Sequence, residues 1–303
     1  MGASDVRAVI FDLGGVVFRS PLIGIARYEE SLGLPADYLN VQITSRGRDG
    51  AWQRFERGEI HDIRDFYRDF GNELSDTVHG NRAYLQHLAK SSSSPQPPPK
   101  LPSSLQVNGR ELFGSMMTHG AEFDEYVVEA IHRIRESKRF LLISVTNNFV
   151  APYELLLKHP SYNADPSSTV HPASSSDSTE PPFSAKDELV FLHWTEGPVP
   201  PSVRAMFDIF IDSSEVGMRK PERRIYELAL QMANESKQLA GELEPGQVVM
   251  LDDLGMNLKT AQEIGMKTIR VPIGGTKQAV AQLEEFLQIP LLKDSKLSNL
   301  AKL

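Results

Sequence analysis

The stretch Arg7-Ala8-Val9-Ile10-Phe11-Asp12-Leu13-Gly14-Gly15 decides the fold. Apolar residues run without interruption from Ala8 to Phe11, then meet a carboxylate and a pair of glycines. An unbroken apolar run suits a parallel strand covered on both faces. Gly14 and Gly15 permit a turn and a close approach of backbone to a ligand. Four later segments follow the same grammar: residues 140–145, 207–211, 248–251 and 268–271.

Helical spacing lies between these runs. Residues 125–137 put Val128, Ile131 and Ile134 on one face. Pro221 reads as the start of a helix carrying Ile225, Leu228, Ala229 and Met232. Leu258, Ala261 and Ile264 line the next, which Gly265 ends, and Thr276 caps a last helix with Val280, Leu283 and Leu287 inward. Strands alternating with helices predict an α/β fold built on a doubly wound parallel sheet. The long gap between the first two strands carries Trp52, Phe55, Ile60, Ile63 and Phe66 at helical spacing. We therefore expect a small helical cap over 17–117, with Trp52 and Phe55 in its core. The main core then covers 1–16 and 118–292, and 293–303 forms a tail. Two Ser/Pro-rich stretches, 91–104 and 161–184, are expected to be disordered insertions, since they bury too little apolar surface to offset chain ordering.

Composition bounds the function. Of 303 residues, 40% are hydrophobic and 24% charged, with a net charge of -8 and Lys and Arg spread along the chain. That balance argues against nucleic acid as a partner. It leaves a small phosphorylated metabolite open, because local field matters more than net charge. No run is long and apolar enough to span a membrane, and Asp5 and Arg7 before the first apolar run do not make a secretory signal. The absence of cysteine removes disulfides, thiolate metal sites and thiol nucleophiles. Ala301-Lys302-Leu303 is a near relative of the peroxisomal Ser-Lys-Leu address, so the expected location is cytoplasmic or peroxisomal.

In a doubly wound sheet, ligands bind beyond the carboxyl ends of the strands. Asp12 follows the first strand, Thr146-Asn147-Asn148 the second, Lys220 comes after the third, and Asp252-Asp253 follow the fourth. Taken singly, each has an ordinary structural use as a cap, a turn or a solvated charge. Together they predict one pocket. Three carboxylates in one place repel unless a cation joins them, and hard oxygen donors suit Mg²⁺. Thr146, Asn147 and Lys220 would supply donors and positive charge to an anion.

These segments resemble the four motifs of the haloacid dehalogenase superfamily. Phe11-Asp12-Leu13-Gly14-Gly15-Val16-Val17 is similar to the first, Val145-Thr146-Asn147-Asn148 to the second, Gly217-Met218-Arg219-Lys220-Pro221-Glu222 to the third, and residues 251–258 around Asp252-Asp253 to the fourth. The chain also resembles the N-terminal phosphatase domain of soluble epoxide hydrolases and the N-terminal domain of acyl-CoA dehydrogenase family member 10 proteins. Phe55-Glu56-Arg57-Gly58-Glu59-Ile60 looks like bacterial sugar-phosphatase relatives. The resemblance implies a Rossmann-like core with a helical cap, and a two-step phosphatase reaction. Asp12 would be the nucleophile, with Lys220 offsetting charge beside it. Thr146, Asn147 and Lys220 would hold phosphate, and Asp12, the Gly14 carbonyl, Asp252 and Asp253 would hold Mg²⁺. One departure matters: most phosphatases of this superfamily carry a second Asp where this chain has Gly14. Losing a positioned acid costs on the order of 10²–10⁴-fold, so acidic leaving groups should be favoured. The departure also leaves room for a 2-haloacid dehalogenase, or for a catalytically weak relative that binds a metabolite or partner.

Overall fold

The computed structural model describes residues 5–91, 99–149, 184–194 and 196–294. The chain opens with β1 (Ala8–Phe11) and passes through α1 (Leu22–Ser31), α2 (Tyr38–Ser45), α3 (Ala51–Glu56), α4 (Ile63–Ser75), α5 (Thr77–Ser91) and α6 (Gly109–His119). It returns through α7 (Glu125–Ser137), β2 (Leu141–Thr146), α8 (Ala185–Phe191), α9 (Pro201–Arg204) and β3 (Ile209–Asp212). The last elements are α10 (Ser213–Val216), α11 (Arg223–Glu235), β4 (Val248–Asp252), α12 (Gly255–Ile264), β5 (Lys267–Arg270) and α13 (Thr276–Leu287).

The five strands form one parallel sheet in the order β3-β2-β1-β4-β5. This is the doubly wound α/β fold that the sequence predicts, with a helical cap inserted after β1. Successive side chains of a strand point to opposite faces, and both faces here are covered. Val9, Phe11, Leu142 and Val249 pack on one side with α7 and α13. Ala8, Ile10, Leu141 and Val248 pack on the other with α11 and α12. Every residue of β1, β2 and β4 is buried, which explains why the apolar runs show no alternation.

The central strand pairs in register on both sides, Phe11 facing Ser144 of β2 and Leu251 of β4. That register brings Asp12, Thr146 and Asp252 to the same edge of the sheet. The chain switches direction across the sheet between β1 and β4, and a crevice opens at such a point.

The cap has its own core of stacked aromatics, including Phe55, Phe66, Phe70 and Phe113. Phe149, Leu189, Leu192 and Trp194 belong to this second core although they follow β2 in the chain. Glu188 anchors α8 there, accepting hydrogen bonds from Tyr67 (2.6 Å) and Arg110 (2.9 Å). The cap is therefore built from two separate lengths of chain.

Some local expectations need correcting. Pro221 does not open a helix: it follows a cis peptide bond from Lys220, and α11 begins at Arg223 with Glu222 at its N-cap. Gly275, not Thr276, stands at the N-cap of α13. Gly265 ends α12 as expected, at a φ of 105° that suits glycine. The stretch expected to be an insertion at 91–104 lies partly outside the described residues. Within its described part, Leu101 packs on the cap and the Pro102 carbonyl accepts from Asn81. Residues 161–183 of the other lie outside, and Ser184 caps α8 by accepting from the Asp187 N–H. Ala301-Lys302-Leu303 also lies outside. No described helix is long and apolar enough to cross a membrane.

Candidate active site

Asp12, Lys220, Asp252 and Asp253 meet at the carboxyl edge of the sheet. The Lys220 ammonium lies 2.7 Å from Oδ2 of Asp12 and 2.7 Å from Oδ2 of Asp252, with no solvent exposure. Carboxylate oxygens of Asp12, Asp252 and Asp253 all lie within 4.8 Å of one another. Three anions against one buried cation leave an excess of negative charge.

The two neighbouring aspartates are placed differently. Asp252 Oδ1 accepts from the Leu254 N–H (2.8 Å) and from Asn257 Nδ2 (3.0 Å), while Oδ2 takes Lys220. Its oxygens are thus occupied by protein donors. Asp253 accepts from the Ser20 hydroxyl at 3.1 Å and lines the cavity. Gly15 makes room for it: φ is +79°, and a Cβ there would lie 2.1 Å from Asp253 Oδ2. Gly14 is different, since the nearest neighbour of an added Cβ would be Pro21 Cδ at 3.6 Å.

Burial sets the proton affinities. It pushes the Asp12 carboxyl well above the usual carboxylate range, with Asp252 and Asp253 adding repulsion and Lys220 opposing. It also pushes Asp253 up to about 6, helped by the charge of Asp252. Lys220 would lose its proton more easily through burial, but Asp12 and Asp252 outweigh that and raise it. Such shifts mark a site that is electrostatically incomplete without another cation.

That lack is the test of fit for a metal. The donors are carboxylate oxygens, they converge, and no cysteine or histidine competes among them. Asp12 and Asp253 offer hard oxygen donors that suit a divalent cation such as Mg²⁺. Asp252 adds charge, but its lone pairs are largely committed to Lys220, Leu254 and Asn257.

Thr146 and Asn147 line the same cavity as Asp12. The Thr146 hydroxyl is loosely held, 3.4 Å from the Asn147 carbonyl. The Asn147 side chain is busy: Nδ2 donates to the Lys220 carbonyl (2.9 Å) and Oδ1 accepts from the Lys220 N–H (2.7 Å). It clamps the Lys220 backbone. An asparagine has both a donor and an acceptor, and residue type alone does not say which partners they take.

The cavity between core and cap has a volume of about 550 Å³. Asp12 and Asp253 line it from the core, and Ile25, Ile43, Met116 and Leu192 from the cap side. Both tryptophans of the chain, Trp52 and Trp194, are on its wall. Trp52 thus serves the cap core and the cavity together, while Phe55 is simply buried. Ser20 is not singled out by the sequence, and Asn257, Glu56 and Arg219 fall within the motif stretches without a role of their own. Asn257 lies on α12, five residues after Asp252 at the end of β4, and reaches back to it with its amide. Glu56 and Arg219 form an ion pair across 163 positions, which leaves no signal in the sequence.

A parallel sheet in this order, helices inserted after β1, and a carboxylate–lysine–carboxylate cluster at the sheet edge define a doubly wound α/β protein with a charged site at its crevice. Nearly the whole chain is similar to part of two longer proteins. The chain is 29% identical over 292 residues to acyl-CoA dehydrogenase family member 10 of Mus musculus, covering 96% of this chain and 20% of that protein. It is 26% identical over 289 residues to bifunctional epoxide hydrolase 2 of Sus scrofa, covering 95% of this chain and 40% of that protein. The chain therefore spans well under half the length of either relative. A haloacid-dehalogenase-family enzyme of Bacteroides thetaiotaomicron, solved with magnesium and inorganic phosphate, aligns at a TM-score of 0.41 with 16% identity, over 89% of this chain and 96% of that one. No family model matches the chain.

Proposed function

We propose that this chain is a Mg²⁺-dependent hydrolase of small phosphate monoesters, with Asp12 as nucleophile. The observation that carries the reading is the Lys220 ammonium fixed 2.7 Å from both Asp12 and Asp252, beside a third carboxylate at Asp253. A lysine buried for packing alone needs one counter-ion. Here the carboxylates outnumber it at the mouth of a cavity, an arrangement suited to gathering a cation and a phosphoryl group.

The chemistry follows from the residues. An Asp12 carboxylate oxygen attacks phosphorus, the ester P–O bond breaks, and an aspartyl-phosphate forms. The departing oxygen takes its proton from solvent, because Gly14 has no side chain to give one. Water then attacks the same phosphorus, its proton passes to solvent, and inorganic phosphate leaves as Asp12 is restored. Lys220 keeps its charge throughout and offsets the anions around it. Asp12, the Gly14 carbonyl and Asp253 would hold Mg²⁺, with Asp252 behind them, and the ion when bound supplies positive charge to the phosphoryl oxygens. Thr146 and the main chain at Asn147 would orient the phosphoryl group.

The test is hydrolysis of p-nitrophenyl phosphate by purified protein with Mg²⁺ and with EDTA. Activity that needs Mg²⁺ and vanishes in Asp12→Asn supports the reading. Chloride release from a 2-haloacid that survives EDTA would replace it with a dehalogenase.

A further inference from the structure

Glu56 is the last residue of α3, on the cap, and is only 4% exposed. It reaches the core at two points. Its Oε2 accepts from Arg219 Nε at 2.5 Å. Its backbone carbonyl accepts from the Ser213 hydroxyl, also at 2.5 Å. Ser213 Oγ also lies 3.2 Å from the Asn148 carbonyl, but a hydroxyl has one proton to give and the shorter contact, to Glu56, takes it. The Ser213 oxygen then accepts from the Asn148 N–H at 2.9 Å.

Both paths lead to the same place. Arg219 directly precedes Lys220. Asn148 directly follows Asn147, whose side chain grips the Lys220 backbone at two atoms. One cap residue is thereby joined to the loop after β2 and to the loop that carries the buried lysine. Neither end of the ion pair is well solvated, with side chains 15% and 6% exposed. A buried charge separated from its partner is costly, so the pair favours the arrangement in which cap and core are seated together.

We infer that Glu56 is a positioning residue, coupling the seating of the cap to the placement of Lys220 and the β2 loop. This rests on the phosphatase reading for its effect on turnover, but not for its effect on structure. The alternative for a buried carboxyl on a cavity wall is a proton donor replacing the acid absent at Gly14. Burial does raise the Glu56 carboxyl, but Arg219, the Trp52 indole and the charge of Lys220 pull it back. Its hydrogen bond to Arg219 commits it to holding, not to proton transfer.

The experiment uses the full chain with Mg²⁺, comparing Glu56→Ala, Glu56→Gln and Ser213→Ala with the parent. One readout is kcat/KM for an aryl and for an alkyl phosphate. The other is amide hydrogen exchange over 146–149 and 213–220. Coupling predicts that Glu56→Ala lowers kcat/KM for both substrates by the same factor, roughly 10²-fold. It also predicts exchange faster by about tenfold or more in both segments. Ser213→Ala, which cuts one path, should give a smaller change of the same kind, and Glu56→Gln should lie between it and Glu56→Ala. Circular dichroism identifies any variant that fails to fold, and Ser213→Ala then carries the test. A loss confined to the alkyl phosphate would make Glu56 a proton donor and overturn the inference, as would unchanged exchange. If the parent shows no phosphatase activity, the proposed reaction falls while the exchange readout still judges the coupling.

Discussion

Lys220 Nζ lies 2.7 Å from Asp12 Oδ2 at a site where the lysine has no exposed surface. The ammonium holds Asp12 Oδ2, Oδ1 accepts from the Leu13 N–H at 2.7 Å, and the carboxylate lines the cavity. Removing the ammonium strands two carboxylates in the interior. We expect Lys220→Met to destabilise the metal-free protein by about 3–5 kcal/mol, the range for breaking a buried pair. Urea unfolding in EDTA measures this, and a loss under about 1 kcal/mol would mean that the carboxylates are not charged or not buried.

Asp253 gives the pH dependence. Its carboxyl is pushed up to about 6 in the folded protein, against 3.8 for the ordinary group. Between those values the folded state holds a proton that the unfolded state has released. The Asp253 contribution to the stability of the metal-free protein therefore falls as pH rises from about 4 to about 6, by up to about 3 kcal/mol. Asp253→Asn should flatten that slope. Mg²⁺ competes with the same proton, so its stabilising effect should be large at pH 7.5 and nearly absent at pH 5, read as a shift in Tm.

The two glycines after the nucleophile should respond oppositely to alanine. Gly15→Ala places a Cβ against Asp253 at a positive φ, so Mg²⁺ affinity and activity should fall together. Gly14→Ala has room and should keep both. Calorimetric Mg²⁺ titration separates them, and equal affinities in the two variants would remove Asp253 from the proposed metal site.

Gly14 also governs leaving groups. Without an acid at that position, aryl and acyl phosphates should be hydrolysed faster than alkyl phosphates. Gly14→Asp restores a carboxyl where a side chain fits, and should narrow the gap by raising the alkyl rate on the order of 10²-fold. A series of phosphate esters graded by leaving-group pKa reports both slopes.

Much of this was legible in the sequence because parallel strands are short, fully apolar and end abruptly. Asp12, Thr146 and the Asp252-Asp253 pair mark three of those ends, and Lys220 follows a fourth. What escaped were relations that only packing creates. Leu189, Leu192 and Trp194 are ordinary apolar residues in sequence, and nothing in them says that they join the cap core. Asn147 reads as an anion ligand until its amide is found on the Lys220 backbone. Glu56 and Arg219 are ordinary charges in sequence and become a buried pair only when cap and core meet.

The central claim is that Asp12 carries the phosphoryl group between the two steps. Mass spectrometry of protein quenched in acid during a single turnover with Mg²⁺ tests it most directly. The account predicts one phosphoryl group on the peptide containing Asp12, absent in Asp12→Asn and absent when EDTA replaces Mg²⁺. Turnover at full rate with that peptide never modified, or a phosphoryl group found on another side chain, would contradict it.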